Sequence, residues 1–283
     1  MLRARAAACS PRRHAARAGI DQGMKDRCAA CTASGKASGK RADADEAVGD
    51  SLTTTRSSLA RRPRWTTLDA YGDLQPVIDH YLGGWRSSAR ARDDRLQPEQ
   101  LHAVAWRPAG RRRPCSGPSR SRAECPPPDD YLLACELKPV QPRGAVILFG
   151  TNAENEINVD YFESTLRRIV DELAAKVPLL TTIPPRLDKP RSAARVTWYN
   201  QAVSVAQGSQ VPLINLGGGR CGGRTWWNAG SPATASTSNA FGAGPANFTP
   251  AGLRYGMNQR NLITLQALAR LKRVVFDDGP PEP

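Results

Sequence analysis

An alternation of strand-like and helix-like segments in the middle of the chain is its clearest pattern of apolar and polar positions. Three apolar runs, each too short for a helix, predict buried strands at Gly144–Phe149, Val177–Ile183 and Val211–Leu216. Between them, apolar residues recur at helical spacing over 158–173, and a second helix is predicted over 193–206. Strands that alternate with helices at this spacing predict an α/β fold with a parallel sheet covered on both faces.

Folded sequence resumes near the end of the chain. Asn247 opens a turn-rich stretch, and from Asn258 a helix is predicted whose leucines share one face: Leu262, Leu265, Leu268 and Leu271. The predicted organisation is a disordered basic segment at 1–44, one domain at 45–276 and a disordered tail at 277–283. Within that domain, 86–130 and 217–238 are poorly patterned.

The chain has a net charge of +14, which in isolation suggests a nucleic-acid partner. The charge is uneven, however, with an excess of +10 in residues 1–143 and +4 in 144–283. Basic runs such as Arg111–Arg113 fall in no amphipathic pattern, so we interpret them as solvated sequence and do not expect nucleic-acid binding. No apolar run approaches the length of a membrane span.

Seven cysteines show no regular spacing, and Cys28 and Cys31 form a single CxxC motif with no second pair and no histidine nearby. Zinc sites need four ligands, so we expect no metal here.

Two short polar motifs carry candidate chemistry. Gly49-Asp50-Ser51 resembles a turn that exposes a serine beside a helix N-terminus, where an oxyanion is stabilised. The same three residues are also an ordinary turn or N-cap sequence. Gly150 and Asn152 follow the Gly144–Phe149 strand, and in parallel sheets reactive groups lie beyond the carboxyl ends of strands.

Together these motifs resemble two sequence blocks of the SGNH hydrolases, the GDSL-like esterase/lipase family. The resemblance is clearest over 144–216 and 247–275. It implies a three-layer α/β/α sandwich with a flavodoxin-like parallel sheet. It also implies that Ser51 is the nucleophile, that Asn152 donates to the oxyanion, and that Gly49, Asp50 and Gly150 shape the turns. The implied reaction is hydrolysis of a small-molecule or glycan ester through an acyl-enzyme, without a cofactor.

The family's third block, an Asp-x-x-His pair near the C-terminus, is absent from this sequence. A serine hydroxyl is a poor nucleophile until a base takes its proton. The three histidines, His14, His80 and His102, all precede the predicted sheet core, and we do not expect any of them to replace the missing base.

The segment where the pair is expected, 217–239, is rich in Gly, Arg, Ala, Ser and Thr. One set of synonymous codons for Pro232 to Ser238, regrouped one base earlier, spells Gly-Asp-Gly-Ile-His-Leu. We therefore hypothesise that 86–130 and 217–238 are read out of frame, because GC-rich DNA read out of frame yields Arg, Pro, Ala and Gly. On this interpretation the native protein is an esterase and the present chain is impaired. A non-catalytic binding protein on the same scaffold is the alternative.

Overall fold

The computed structural model describes residues 19–49, 66–82, 86–87, 142–148, 159–182, 202–216, 220–221, 224–225, 246–254 and 256–282. Its helices are α1 (Gln22–Ala37), α2 (Gln75–Leu82), α3 (Val159–Glu172), α4 (202–208) and α5 (Gly256–Leu271). Short 3₁₀ turns at Asp69–Leu74 and Gly252–Arg254 precede α2 and α5, and a π-helical turn at Lys272–Phe276 follows α5.

The strands are β1 (Arg41–Gly49), β2 (Thr66–Thr67), β3 (Arg86–Ser87), β4 (Pro142–Leu148), β5 (Val177–Thr181), β6 (Leu213–Ile214), β7 (Arg220–Cys221), β8 (Arg224–Thr225) and β9 (Ala246–Asn247). Five of these described strands form one sheet in the order β3-β1-β4-β5-β6. Every pairing in it is parallel, in agreement with the predicted α/β class. We call the edge where its strands begin the amino edge and the opposite one the carboxyl edge.

The three strands predicted from apolar runs are present, with shorter bounds at β5 and β6, and α3 matches the predicted amphipathic helix. Of the helix predicted over 193–206, the described part is α4. β3 lies at the start of the poorly patterned stretch 86–130, and residues 88–130 are outside the described residues. β7 and β8 form an antiparallel pair inside 217–238.

Alternate residues of β4 face two separate apolar clusters, because successive strand side chains point to opposite faces. Val146 and Leu148 pack with side chains from α1, α2 and α5, whereas Ala145 and Ile147 pack with side chains from α3 and α4. The leucines predicted on one face of α5 are all buried in the first cluster. Burial of each such side chain contributes roughly 1.5–3 kcal/mol.

A helix lies in the segment predicted to be disordered, so that prediction is wrong for residues 22–37. The Asp21 carboxylate accepts the Met24 N–H at 2.9 Å and caps the start of α1. The buried positions of α1 are Cys28, Cys31 and Gly35, which are spaced for one helical face. Because these buried residues are small, the two faces of α1 differ little in hydrophobicity, and the sequence does not reveal an amphipathic helix. β1 begins at Arg41, so residues 41–44 are also ordered.

The predicted disordered tail, 277–283, is wrong for residues 277–282. The Glu282 N–H donates to the Ile20 carbonyl at 2.8 Å, and the Glu282 carboxylate pairs with Arg270 at 2.7 Å and also with Arg273. These contacts hold the segment against the end of α5.

Candidate active site

The carboxyl ends of β1 and β4 lie side by side. Gly49, the last residue of β1, is the register partner of Leu148, the last residue of β4. Counted in chain order within the sheet, the strands run second, first, third, fourth, fifth, so the chain changes direction across the sheet between β1 and β4. Ligands in open parallel sheets bind in the crevice at such a switch point.

The predicted site residues divide between these strand ends and sequence outside the described residues. Gly49 closes β1. Asp50 and Ser51 come one and two positions later, and Gly150 and Asn152 come two and four positions after the end of β4. These four lie outside the described residues, so their roles stay predictions.

Polar side chains that the sequence analysis missed fix the carboxyl ends of β5 and β6. The Thr181 hydroxyl donates to the Ile147 carbonyl on β4 at 2.9 Å. The fully buried Thr182 donates from its hydroxyl to Asn215 Oδ1 at 3.3 Å, and its N–H donates to the Ile214 carbonyl at 3.0 Å. The sequence signal was the replacement of apolar residues by threonine at the end of an apolar run.

A compact hydrogen-bonded turn connects β9 to α5 and was also missed. Asn247 Oδ1 accepts from the Thr249 N–H at 3.1 Å and from the Thr249 hydroxyl at 2.7 Å, and Thr249 Oγ1 accepts from the Gly252 N–H at 3.1 Å. The buried Asn258 Nδ2 donates to the Gly252 carbonyl at 3.0 Å. Glycine is required, because a Cβ at position 252 would lie 2.2 Å from the Asn247 carbonyl oxygen.

β9, which leads into this turn, pairs with β2, the next described strand after β1. Thr66 and Thr67 of β2 pair in parallel with Ala246 and Asn247 of β9. The stretch after Ser51 leads to β2, and 217–245 lead to β9. Two widely separated parts of the chain therefore reach the same two-stranded ladder.

His80 lies at the amino edge, far from the switch point. Its Nε2 is 2.7 Å from Nη2 of Arg143, a residue at the beginning of β4. From Arg143 to Leu148 the strand rises about 17 Å at ~3.3 Å per residue. Burial lowers the pKa of His80, and Arg143 and Lys272 lower it further. His80 is therefore at the opposite end of β4 from Leu148, and His14 and His102 lie outside the described residues.

Cys28 and Cys31 are core residues of α1. Both are free thiols buried in the apolar cluster around α1, α2 and α5. Burial raises the pKa of Cys28 to about 12, and burial also raises the pKa of Cys31. Thiols of this kind are inert, because the thiolate is the reactive form. Across the described part of the chain, no group of three or more His, Cys, Asp or Glu is arranged to hold a metal ion.

None of the helices in the described ranges combines the length and apolar character that crossing a membrane requires.

Comparison with known proteins includes a distant structural likeness. No protein-family model and no curated protein sequence matches the chain. A solved structure of a peptidoglycan O-acetylesterase is similar to 48% of this chain, with 22% sequence identity and a TM-score of 0.34. The chain spans 40% of the length of that solved chain.

Proposed function

We propose that the protein is a carboxylic-ester hydrolase of the SGNH/GDSL type, built on a three-layer α/β/α sandwich with a flavodoxin-like sheet. The observation that carries the proposal is the register pairing of Gly49 with Leu148 at the switch point. The two motifs singled out from the sequence, Asp50-Ser51 and Gly150 to Asn152, start within two residues of that pair. Motifs about one hundred residues apart in the sequence therefore begin from neighbouring strand ends.

The arrangement of layers supports the proposed scaffold. The two faces of β4 contact different apolar clusters, one with α1, α2 and α5 and the other with α3 and α4. Helices on both faces of a parallel sheet are expected for a doubly wound fold, and the strand order is the flavodoxin-like one.

In the proposed reaction Ser51 Oγ attacks the carbonyl carbon of a small-molecule or glycan ester, and the oxyanion accepts hydrogen bonds from the Ser51 N–H and the Asn152 side chain. The tetrahedral intermediate collapses, the alcohol leaves with a proton, and water then hydrolyses the acyl-enzyme. A base must take the serine proton. In the described part of the chain the one histidine is His80, at the opposite edge of the sheet.

The lack of an Asp-x-x-His block in the sequence predicts weak activity. A serine hydrolase that lacks one triad member keeps about 10³–10⁴-fold acceleration over water, from oxyanion stabilisation and binding. We expect the chain with this sequence to hydrolyse esters slowly.

The test is hydrolysis of a chromogenic acetate ester by the full chain and by single variants. Ser51→Ala is expected to reduce hydrolysis to the residual rate once the Asp-x-x-His block is restored, because the serine acts as a nucleophile only with a base. Asn152→Ala is expected to lower the rate of the present chain by about 10²–10³-fold. Ser38→Ala is a matched control, because Ser38 is an exposed serine that follows α1 and precedes β1 at the amino edge. Equal rates in Ser51→Ala and its parent, both with the Asp-x-x-His block restored, would refute the nucleophile.

The missing base specifically favours a second function, ligand binding without hydrolysis on the same scaffold. It predicts that acetate esters bind, that binding survives Ser51→Ala, and that a chain with the Asp-x-x-His block restored is also inactive. Hydrolysis by the restored chain would eliminate this alternative.

A further inference from the structure

A cavity of about 130 Å³ opens at the amino edge of the sheet, and the proposed active site lies at the carboxyl edge. It lies between the end of α1, the start of β4, the turn before β5 and the π-helical turn. Its lining includes Lys36, Lys40 and Arg143, together with Thr32. None of the described residues that line it is acidic.

One wall of the cavity forms where the backbone of α1 packs closely against the turn before β5. Gly35 lies against the turn before β5, where an added Cβ would be 2.8 Å from the Ala175 carbonyl oxygen and 3.5 Å from Lys40 Cγ. Near its other end, α1 approaches Gln210, which precedes β6. The helix therefore crosses the amino ends of the strands and places Lys36 at the cavity.

Arg143 is held in a fixed orientation at this cavity. Its guanidinium carbon lies 3.7 Å from the centre of the Phe276 ring, and its Nη2 contacts His80 at 2.7 Å. Its Nε is buried and has no hydrogen-bond partner. An anion in the cavity would compensate the positive charge of this partly buried guanidinium.

We propose that this cavity binds a small phosphoryl oxyanion through Arg143, Lys36 and Lys40. Arginine matches the geometry of a phosphate with paired N–H donors, and lysine adds compact positive charge. The volume suits one such group. Lys36 also balances the negative end of the α1 dipole, an interaction that needs no ligand, so Arg143 is more informative than Lys36.

Crowding of positive charge around the cavity supports the proposal. Lys176, 7% exposed, follows Ala175 of the cavity wall. Burial lowers its pKa to about 8, and the charge of Lys40 contributes to that shift. Among the described residues, Glu172 acts on Lys176 and Asp277 pairs with Lys272. A bound anion would relieve the repulsion between Lys40 and Lys176.

The test is calorimetric titration of the full chain with inorganic phosphate and with glycerol phosphate, against chloride at matched ionic strength. A double variant, Lys36→Gln with Lys40→Gln, is expected to weaken binding by at least about tenfold. Lys25→Gln is the matched control, since Lys25 lies on α1 but pairs with Asp278 outside the cavity. It is expected to change the affinity less than about twofold.

Each outcome has a defined meaning. Tighter binding of inorganic phosphate identifies the free ion as the ligand, and tighter binding of glycerol phosphate identifies a phosphate ester. Non-specific attraction to a chain of net charge +14 would affect the double variant and Lys25→Gln alike, and that result would overturn the proposal. Absence of binding above the chloride background would also overturn it. Neither result depends on Ser51, so the esterase proposal is tested separately.

Discussion

Arg143 donates from Nη2 to Nε2 of His80 across 2.7 Å, and this contact defines the protonation state of the histidine. A guanidinium can only donate, so Nε2 must accept, and the ring is the neutral form that carries its proton on Nδ1. The pKa of His80 is lowered accordingly, first by burial and then by Arg143 and Lys272, while Asp277 acts in the opposite direction.

The first prediction concerns the pH dependence of stability. Below pH 6.5 the unfolded chain binds a proton at His80 before the folded chain does, so the free energy of unfolding falls as pH drops through this range. In His80→Gln the amide oxygen can still accept from Arg143 but does not titrate, and we expect a shallower acid slope. Thermal unfolding from pH 5 to 7.5 measures it. Identical slopes in both proteins would contradict this assignment.

The second prediction concerns Lys176. Its pKa is about 8 in the folded protein and 10.5 without the fold, so the unfolded state binds more protons between these values and stability rises with pH across them. Lys176→Met is expected to raise Tm at pH 7 by about 2–4 °C and to remove that rise. Thermal unfolding at pH 7 and pH 9.5 checks both effects, with Lys176→Gln as the uncharged polar control. A lower Tm for Lys176→Met at pH 7 would show that favourable interactions of the ammonium in the folded protein outweigh the cost of burying its charge.

The third prediction compares two glycines. Gly252→Ala places a methyl group 2.2 Å from the Asn247 carbonyl oxygen, so the turn before α5 must shift, at a cost of about 1–3 kcal/mol. Gly72→Ala is the control, because nothing lies within 4 Å of the new methyl group. We expect it to change stability by less than about 1 kcal/mol. Chemical denaturation measures the free energy of unfolding of both variants. An equal loss of stability in the two would mean that the turn before α5 is not closely packed around Gly252.

The fourth prediction concerns the coding DNA. We expect that the DNA for Leu216 to Asn239, read in another frame, encodes Asp and His three residues apart. A chain translated from the corrected frame is expected to hydrolyse a chromogenic acetate at least about 10³-fold faster than the present chain. Resequencing the gene is the first measurement. If neither alternative frame contains the pair, the out-of-frame hypothesis is wrong.

The sheet core could be predicted because its strands carry their own signal. β4 and β5 are continuous apolar runs, as expected for strands buried on both faces, and α3 has a clear amphipathic period. β1 differs, since its sequence, Arg41-Ala-Asp-Ala-Asp-Glu-Ala-Val-Gly49, interrupts its small apolar residues with charged ones. Pairing with β4 and β3 on its two sides defines it as a strand, and this information is absent from the local sequence.

The features at the edges of the sheet could not be predicted for a related reason. Cys28 and Cys31 were considered as a metal motif, but their spacing is also that of one helical face, and they pack in the core. The contact between Arg143 and His80 joins residues 63 positions apart, and neither lies in a sequence motif. Of the proposed active site, the sequence supplied the two motifs, and the structure adds the neighbouring strand ends from which they start.

The pairing of β1 with β4 has a consequence for folding. β4, α3 and β5 are consecutive in the chain, so their contacts form with little loss of loop entropy, whereas β1 meets β4 only after closure of a loop of roughly 90 residues. We expect the β4-α3-β5 unit to form early and β1 to dock onto it later. Mutations in β1 should then mainly accelerate unfolding, while mutations in β4 should slow refolding. The proposed catalytic serine would follow a strand that is among the last to join the sheet.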